Sequence, residues 1–346
     1  MGDVVTIRDV ARLAQVSVAT VSRALNGREN VASGVRARVI DAAKELRYVP
    51  HHAARSLSSR RTRTIGVVLP DLHGEFFSEL MRGIDQVARE HDLYLLVSSY
   101  HGHPEEQGVA LRAMRGRVDG LLVMSPFVES TPLADDFDDA HPVVLINTGL
   151  SGIGLGTLRV DNHGGARGMV QHLVARGFRR IAFVAGPDGN FDAAERLRGY
   201  RDALADLLPG ADPIVLPGAF DESSGHRAGH AILAMEQRPD AVFCANDMTA
   251  LGCLFAFQQA GLRVPDDIAL AGFDDIPLAR YVHPSLTTIA VDIAELGGLA
   301  LRALIAGVPL DTAPITPHLV VRESTQREAT QRDTPPPPHG ERRDSS

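Results

Sequence analysis

Several kinds of residue and pattern are scarce in this sequence, and each shortage excludes a class of function. The 346 residues include two cysteines, Cys244 and Cys253. They stand nine apart and outside any CxxC spacing, which indicates neither a zinc ribbon nor a dithiol redox pair and leaves buried free thiols as the expectation. No apolar run reaches the length of about 18 residues that a membrane span needs, so no membrane partner is expected. Asp3, Arg8, Asp9 and Arg12 stand where a secretory leader would need an apolar core, which places the protein in the cytoplasm. The fourteen histidines include no HExxH pair and no GxSxG elbow is present. With no nucleophile, acid/base pair or metal set to assemble, the chain does not read as an enzyme, and neither a metal nor a cofactor is expected. Gly152, Gly154 and Gly156 form GIGLG, yet a phosphate fingerprint needs GxGxxG directly between a strand and a helix. Here the next helix starts only after Asp161, so the stretch reads as a loop between lobes.

What is present is an uneven distribution of charge. The whole chain carries −8, but residues 1 to 63 hold twelve Lys/Arg against five Asp/Glu, a balance of +7, so the remainder carries −15. A basic reading head on an acidic body would show this asymmetry. With 44% hydrophobic residues, the chain is long enough for two or three domains, each with its own core.

The basic part opens with TIRDVARLAQVSVATVSRALNG, Thr6 to Gly27. Thr6 and Asp9 have the spacing of a capping box, and Ile7, Val10, Ala11 and Ala14 share one helical face. Val16 is apolar at a turn, Ser17 suits an N-cap, and Val21, Ala24 and Leu25 point back from a second helix. Val18, Ala19, Ser22 and Arg23 remain outward. Small apolar groups, a hydroxyl and a guanidinium suit a major groove, where Arg contacts guanine bidentately and methyl groups touch thymine. Ser17, Thr20 and Ser22 are then placed to hold the helix on phosphate, and Thr6 and Asn26 complete the candidate DNA contacts. A plain helical hairpin with a solvated face is the alternative. A third helix carries Val35, Val39, Ala42, Ala43 and Leu46 as its stripe, with Ser33 as the expected cap.

From Thr64 the pattern alternates. Ile65 to Leu69 is a continuous apolar run of the kind a strand buried on both faces requires, and Leu93 to Val97, Leu121 to Met124 and Val143 to Ile146 are further apolar strands, with helices after the first and second. After Asp161 the alternation restarts: helix to Arg176, strand Ile181 to Ala185, helix from Glu195, strand Ile214 to Leu216, helix from Ser223, strand Ala241 to Cys244, helix Asp247 to Ala260, strand Ile268 to Gly272. Two similar α/β lobes follow. Asp161, Arg196, Phe220, Asn246, Asp247 and Asp274 fall at strand ends or helix starts of the second lobe. Ligands of open α/β sheets bind beyond the carboxyl ends of the strands. Arg, Asp, Asn and an aromatic face are what a sugar needs. The bland alternatives are that Asp161 and Asp247 cap helices and that Phe220 is core.

VSVATVSRALNG, followed in order by ELRYVP, ARSL and RTRTIGVVLP, closely resembles the lactose-repressor (LacI/GalR) family of bacterial transcription regulators, from about Thr6 to about Glu323. Two departures are visible: Val31-Ala32 and Val35 stand where the family usually has Val-Ser and a Thr, and His51 stands where Asn commonly follows the Pro. The resemblance implies an N-terminal all-α helix-turn-helix domain (1–49), a hinge (50–63) and a core (64–323) like the two-lobed periplasmic-binding-protein fold, with two doubly wound parallel sheets. The chain would cross between lobes near 161, 290 and 320, putting 64–160 and 290–320 in the first lobe, 161–289 in the second, and a helix from Leu296 to Ala306 back on the first. It also implies that Leu57 wedges into a minor groove with Arg55 against phosphate. Effector contacts fall on Arg196, Phe220, Asn246, Asp247, Asp274 and Asp161. His73, Glu75 and Phe76 come from the first lobe, where Gly74-Glu75 replaces the usual Asn-Pro. The polar tail 324–346 has no leucine heptad of the kind through which some members tetramerise, and it cannot bury enough apolar surface to order itself. The implied protein is a dimeric, effector-controlled regulator of operator DNA, most simply a repressor answering to a sugar and associated with the nucleoid. A sugar-transport protein lacks support from the leader, and a carbohydrate or nucleotide enzyme lacks its catalytic groups.

Overall fold

The computed structural model describes residues 5–25, 31–48, 61–127, 142–149, 156–307 and 313–327, in two compact units, Met1–Thr62 and Arg63–Ser346. In the first unit α1 (Ile7–Leu13), α2 (Val18–Leu25) and α3 (Ser33–Glu45) close on Val10, Ala11, Ala14, Val21, Ala24, Val39, Ala42, Ala43 and Tyr48. The periodic stripes read from the sequence form most of this core, with Ile7, Val16, Leu25 and Leu46 packed against it, whereas Val35 is half-buried outside it and Tyr48, in no stripe, joins it. The Asp9 carboxylate accepts from the Thr6 amide at 3.0 Å and the Thr6 hydroxyl at 2.7 Å. Ser17 caps α2, its Oγ accepting from the Thr20 N–H at 3.1 Å. Ser33, expected as the cap of the third helix, is instead its first residue, and the N-cap is Ala32 without a side-chain hydrogen bond. The reason lies in the backbone: the Ala32 carbonyl already accepts from Val35 and Arg36 at 3.0 Å each, so the helical turn starts one residue earlier.

The described residues of the second unit form two sheets. β1 (Thr64–Leu69), β2 (Tyr94–Ser99), β3 (Gly120–Met124), β4 (Val143–Ile146) and β5 (Gly156–Leu158) pair in the order β2-β1-β3-β4-β5. β6 (Ile181–Val184), β7 (Ile214–Leu216), β8 (Ala241–Cys244), β9 (Ala269–Asp274), β10 (Thr287–Ala290) and β11 (His318–Val320) pair as β11-β10-β9-β8-β6-β7. Among the described residues the ladders of both sheets are parallel except β10 with β11. The connecting helices are α4 (Glu75–Glu90) and α5 (Gln107–Met114) in the first lobe, and α6 (Asn162–Ala175), α7 (Phe191–Leu207), α8 (Glu222–Leu233) and α9 (Asp247–Gln259) in the second. In both sheets the strand order reverses beside the first strand, between β1 and β3 and between β6 and β8, where open α/β sheets form a crevice.

Burial explains the continuous apolar runs: β3, β4, β6, β8 and β9 are buried at every residue. Phe183 stacks on Tyr200 at 5.0 Å and meets Phe243 edge-on at 5.1 Å. Each such ring contributes about 1.5–3 kcal/mol by burial. The helix expected from Glu195 begins four residues earlier, at Phe191, because Asn190 caps it, accepting from the Ala193 N–H at 3.0 Å. Gly156 of GIGLG opens β5, while Gly152 and Gly154 lie outside the described residues.

α10 (Ile293–Ala306) returns to the first lobe and lies against α4 so closely that a Cβ on Gly83 would stand 1.8 Å from the Ala294 carbonyl oxygen. The chain then crosses back before His318, earlier than the expected point near 320, because residues 318 to 320 complete the second sheet against β10. The tail also begins later than 324. Ser324 and Thr325 are buried. Ser324 Oγ donates to the Leu270 carbonyl at 2.6 Å and accepts from the Thr287 N–H at 2.8 Å, so hydrogen bonding orders what apolar burial could not. Among the described residues no helix is long and apolar enough to cross a membrane.

Candidate functional site

The residues singled out in the sequence fall in two groups, one in each unit. On α2, Val18 is 41% exposed, Ala19 and Arg23 are exposed, and Thr20 and Ser22 are half-buried. Arg23 lies along its own helix, Nε donating to the Ala19 carbonyl at 3.2 Å, and Ser17 Oγ meets Thr20 Oγ1 at 2.9 Å. The Thr6 hydroxyl is engaged by Asp9, which assigns it to the helix start. Asn26, Arg55 and Leu57 lie outside the described residues.

In the second unit a polar cluster forms beyond the carboxyl ends of β6, β8 and β9. Arg196, on α7, is only 4% exposed. Its Nη2 pairs with Asp274 Oδ1 at 3.0 Å, its Nη1 donates to the Ala245 carbonyl at 2.6 Å, and its Nε donates to Asn162 Oδ1 at 2.8 Å. The guanidinium carbon stands 3.8 Å from the Phe273 ring centroid and 5.6 Å from that of Phe220, a cation–π arrangement. Asn162 in turn donates to Asp192 Oδ1 at 2.8 Å. Burial pushes the Asp274 carboxyl up to about 6 against the opposing pull of Arg196. Burial likewise raises Asp192 to about 6, opposed by Arg196 and then by bonds from Asn162 and Asn147. Burial thus favours the neutral form of both acids, and a single guanidinium opposes it in each.

The sequence candidates divide in this frame. Arg196, Asp274 and Phe220 come together. Phe220 sits at φ +63°, its ring over Gly186, where a Cβ would come within 2.5 Å of it, and its carbonyl accepts from Asn246 Nδ2 at 3.0 Å. Asn246 borders the cluster but spends its other end capping α9 through the Thr249 N–H at 3.0 Å. Asp161 caps α6, accepting from the Gly164 N–H at 2.8 Å. Asp247 is fully buried, accepting from the Thr288 hydroxyl at 2.6 Å and the Ile276 N–H at 3.0 Å. Burial, then the charge of Asp274, raises its carboxyl well above the usual range. Asp161 and Asp247 thus tie the fold together. Phe76, in the first turn of α4, packs edge-on against Phe77 at 5.5 Å.

Reading the sequence missed Asn162, Asp192 and Asn147. The available signal was polar residues directly after apolar strands, such as Asn147-Thr148 after β4 and Ser125 after β3, all buried. The lobes meet beside the cluster: the Phe191 N–H donates to the Pro126 carbonyl at 2.7 Å and the Leu278 N–H to Glu75 Oε2 at 2.9 Å, while His73 Nε2 lies 3.5 Å from Glu222 Oε2. Two cavities, of about 680 and 450 Å³, open elsewhere: one between α8 and α9 lined by His226 and Phe255, one beside residues 290 to 294. Neither reaches Arg196, and the hydrogen-bond geometry rather than cavity size locates the cluster. Cys244 and Cys253 are free, buried and 3.7 Å apart at sulfur. Among the described residues no group of three or more His, Cys, Asp or Glu side chains is arranged to hold a metal.

Known proteins match both units. The family "Bacterial regulatory proteins, lacI family" matches residues 6–51 and the "Periplasmic binding protein-like domain" residues 170–328. Catabolite control protein A of Priestia megaterium is 34% identical over 330 residues, covering 93% of this chain and 99% of that protein. Among solved structures, the lac repressor dimer bound to operator and the anti-inducer ONPF has a TM-score of 0.83 at 28% identity, covering 93% and 99% of the two chains. The complex of the transcriptional regulator CelR with cellobiose has a TM-score of 0.65 at 31% identity, covering 92% and 99%. With three short helices in one unit matching the lacI family, a sheet-end polar cluster in the other and likeness along nearly its whole length, the chain belongs to the lacI family of bacterial regulatory proteins and is a DNA-binding transcription regulator rather than an enzyme.

Proposed function

We propose that this regulator is a repressor that binds a palindromic operator as a homodimer, under the control of a sugar or sugar derivative held between the lobes of its core. The observation that carries the effector site is the buried Arg196–Asp274 pair, flanked by Asn162, Asp192 and two aromatic rings. A guanidinium, carboxylates and an amide pair with the vicinal hydroxyls of a sugar, and an aromatic face supports its ring. The lac repressor is a dimer on its operator and CelR holds cellobiose in structures of the same fold, which supports extending both properties to this chain. Residues of the cluster are closed from solvent, so an effector gains access by separating the lobes and re-pairing Arg196 and Asp274. Its differential affinity for open and closed cores then shifts the population that holds DNA. On the DNA side, Val18, Ala19, Ser22 and Arg23 of α2 would face the bases. A cytoplasmic, nucleoid-associated location follows from this function.

The test is selection of operator sequences from a random duplex library by the full chain, followed by anisotropy titrations with the selected duplex against a sugar panel. A palindromic consensus, a steep fall of affinity with salt and release or tightening by one sugar are expected. Absence of any selected sequence overturns the operator reading. A selected operator whose affinity no sugar or sugar phosphate alters overturns the effector reading.

A further inference from the structure

His226 and His230 stand one helical turn apart on α8, so their side chains share a face. Their Nε2 atoms are 3.2 Å apart, with ring centroids at 4.5 Å and planes at 88°. From the end of α9, Gln259 brings Oε1 to 3.0 Å from His226 Nε2, and Phe255 flanks the His226 ring at 5.5 Å. This His-x-x-x-His spacing stands in the sequence itself and corrects the reading that the histidines contain no such pair and so no metal site.

A ring nitrogen offers one hydrogen or one lone pair, and an amide oxygen only accepts. If His226 Nε2 carries the hydrogen, Gln259 takes it and His230 Nε2 competes for the same proton. If it carries the lone pair, it can accept from His230 but faces the lone pairs of Gln259 Oε1, and with the Gln259 amide turned over two donors compete for that single lone pair. One proton cannot serve all three atoms well, whereas a cation accepts from each. Two imidazole nitrogens bound tetrahedrally at about 2.0–2.1 Å lie about 3.3–3.4 Å apart, close to the separation observed. The frame is stiff: a Cβ on Gly225 would stand 2.0 Å from the Thr249 carbonyl oxygen and one on Gly229 would stand 2.6 Å from Ala256 Cβ, so α8 and α9 pack backbone to backbone and fix the donors. Glu222, a turn before His226 on α8, lines the same cavity as His226.

We propose that His226, His230 and Gln259 form a site for a borderline transition-metal dication, Zn²⁺, Ni²⁺ or Cu²⁺, with water completing the coordination. Imidazole with an oxygen donor selects this class over Mg²⁺ or Ca²⁺. The metal clips the C-terminal end of α9 to α8 and stabilises the second lobe by mass action.

The test is calorimetric titration of the metal-free full chain with Zn²⁺ and Ni²⁺, with thermal unfolding in parallel. One tight equivalent per chain and a rise in Tm are expected. His226→Ala/His230→Ala should lose that equivalent or weaken it at least tenfold, while His101→Ala/His103→Ala retains it and Gln259→Ala weakens it by a smaller factor. Circular dichroism checks that the double variant is folded; should it not be, the exposed single change His230→Gln must show the same weakening. Equal stoichiometry, affinity and Tm rise in wild type and the folded His226 or His230 variants overturn the site, and show that the two rings share only a hydrogen bond.

Discussion

Arg196 and Asp274 meet at 3.0 Å with both side chains buried, and Arg196 also faces Asp192, so two buried carboxylates share one positive charge. Each carboxyl is raised to about 6, above the ordinary value near 3.8. The folded protein therefore holds protons between about pH 4 and 6 that the unfolded chain has released. Stability contributed at these sites falls as pH rises through that window and is level above it, on the order of 1–3 kcal/mol for each group. Exposed Asp202 and Asp267 are lowered by His163 and Arg263 and act in the opposite direction, so the measurement must be a difference. Asp192→Asn keeps an oxygen for Asn162 and should lose less stability than wild type in urea unfolding between pH 4.5 and 7. Equal losses would show that Asp192 does not titrate in this range.

Removing the cation has a larger effect. Arg196→Ala would leave Asp192 and Asp274 buried without a partner charge, which costs about 3–5 kcal/mol for a buried pair. The variant should unfold at markedly lower urea and give no thermal shift with whichever sugar shifts the wild type. A loss under about 1 kcal/mol would contradict the closed pair.

Asp247 distinguishes a brace from a ligand contact. Its two oxygens hold the Thr288 hydroxyl and the Ile276 amide. Asp247→Ala would strand both donors, at about 1–3 kcal/mol each. In Asp247→Asn, Oδ1 can accept from Ile276 while Nδ2 donates to a rotated Thr288 hydroxyl, and repulsion from Asp274 disappears. Asn should therefore match or exceed wild-type stability and leave the effector response unchanged. An Asn variant that is stable yet deaf to effector would return Asp247 to the binding site.

The sequence made some of this legible for physical reasons. Parallel strands covered on both faces must be apolar throughout, so β1, β3, β4, β6, β8 and β9 stood out, as did the stripes of α1 to α3 where every turn repeats a contact. β5, β10 and β11 did not: Thr287-Thr288 and His318 carry no apolar run, and they are strands because neighbouring strands complete their hydrogen bonds. Arg196 and Asp274 were visible as charges at the ends of apolar elements. Asp192 and Asn162 were not, because thirty residues separate them in the chain and only the packing of α6 against α7 joins them. Ser324 and Thr325 read as tail because hydroxyls that seal a sheet edge look like any polar residues.

The α4–α10 contact sets the geometry of the first lobe. A Cβ at Gly83 would stand 1.8 Å from the Ala294 carbonyl oxygen and 2.5 Å from its carbon, both rigid backbone atoms. Gly83→Ala must push the helices apart, typically at about 1–3 kcal/mol and more where backbone cannot yield. Helix propensity favours Ala by about 1 kcal/mol, so packing decides the sign. Thermal unfolding should show a clear loss of Tm, and an unchanged or raised Tm would mean that the helices are not in backbone contact.

Arg23 tests the reading helix. It is exposed on the same side of α2 as Val18 and Ala19, and its Nε donates to the Ala19 carbonyl of its own helix, an interaction that DNA can replace at little cost. A bidentate contact to guanine discriminates against the wrong base by about 1–3 kcal/mol, whereas a phosphate contact weakens all sequences alike and reduces the salt slope. Arg23→Ala should lower affinity for the selected operator by roughly tenfold or more, equivalent to about 1.4 kcal/mol per tenfold, and relax preference at one position in each half-site. The salt dependence should stay near that of wild type. Titrations against the operator and its single-base variants decide between the two, and uniform weakening with a shallower salt slope would assign Arg23 to the phosphate backbone.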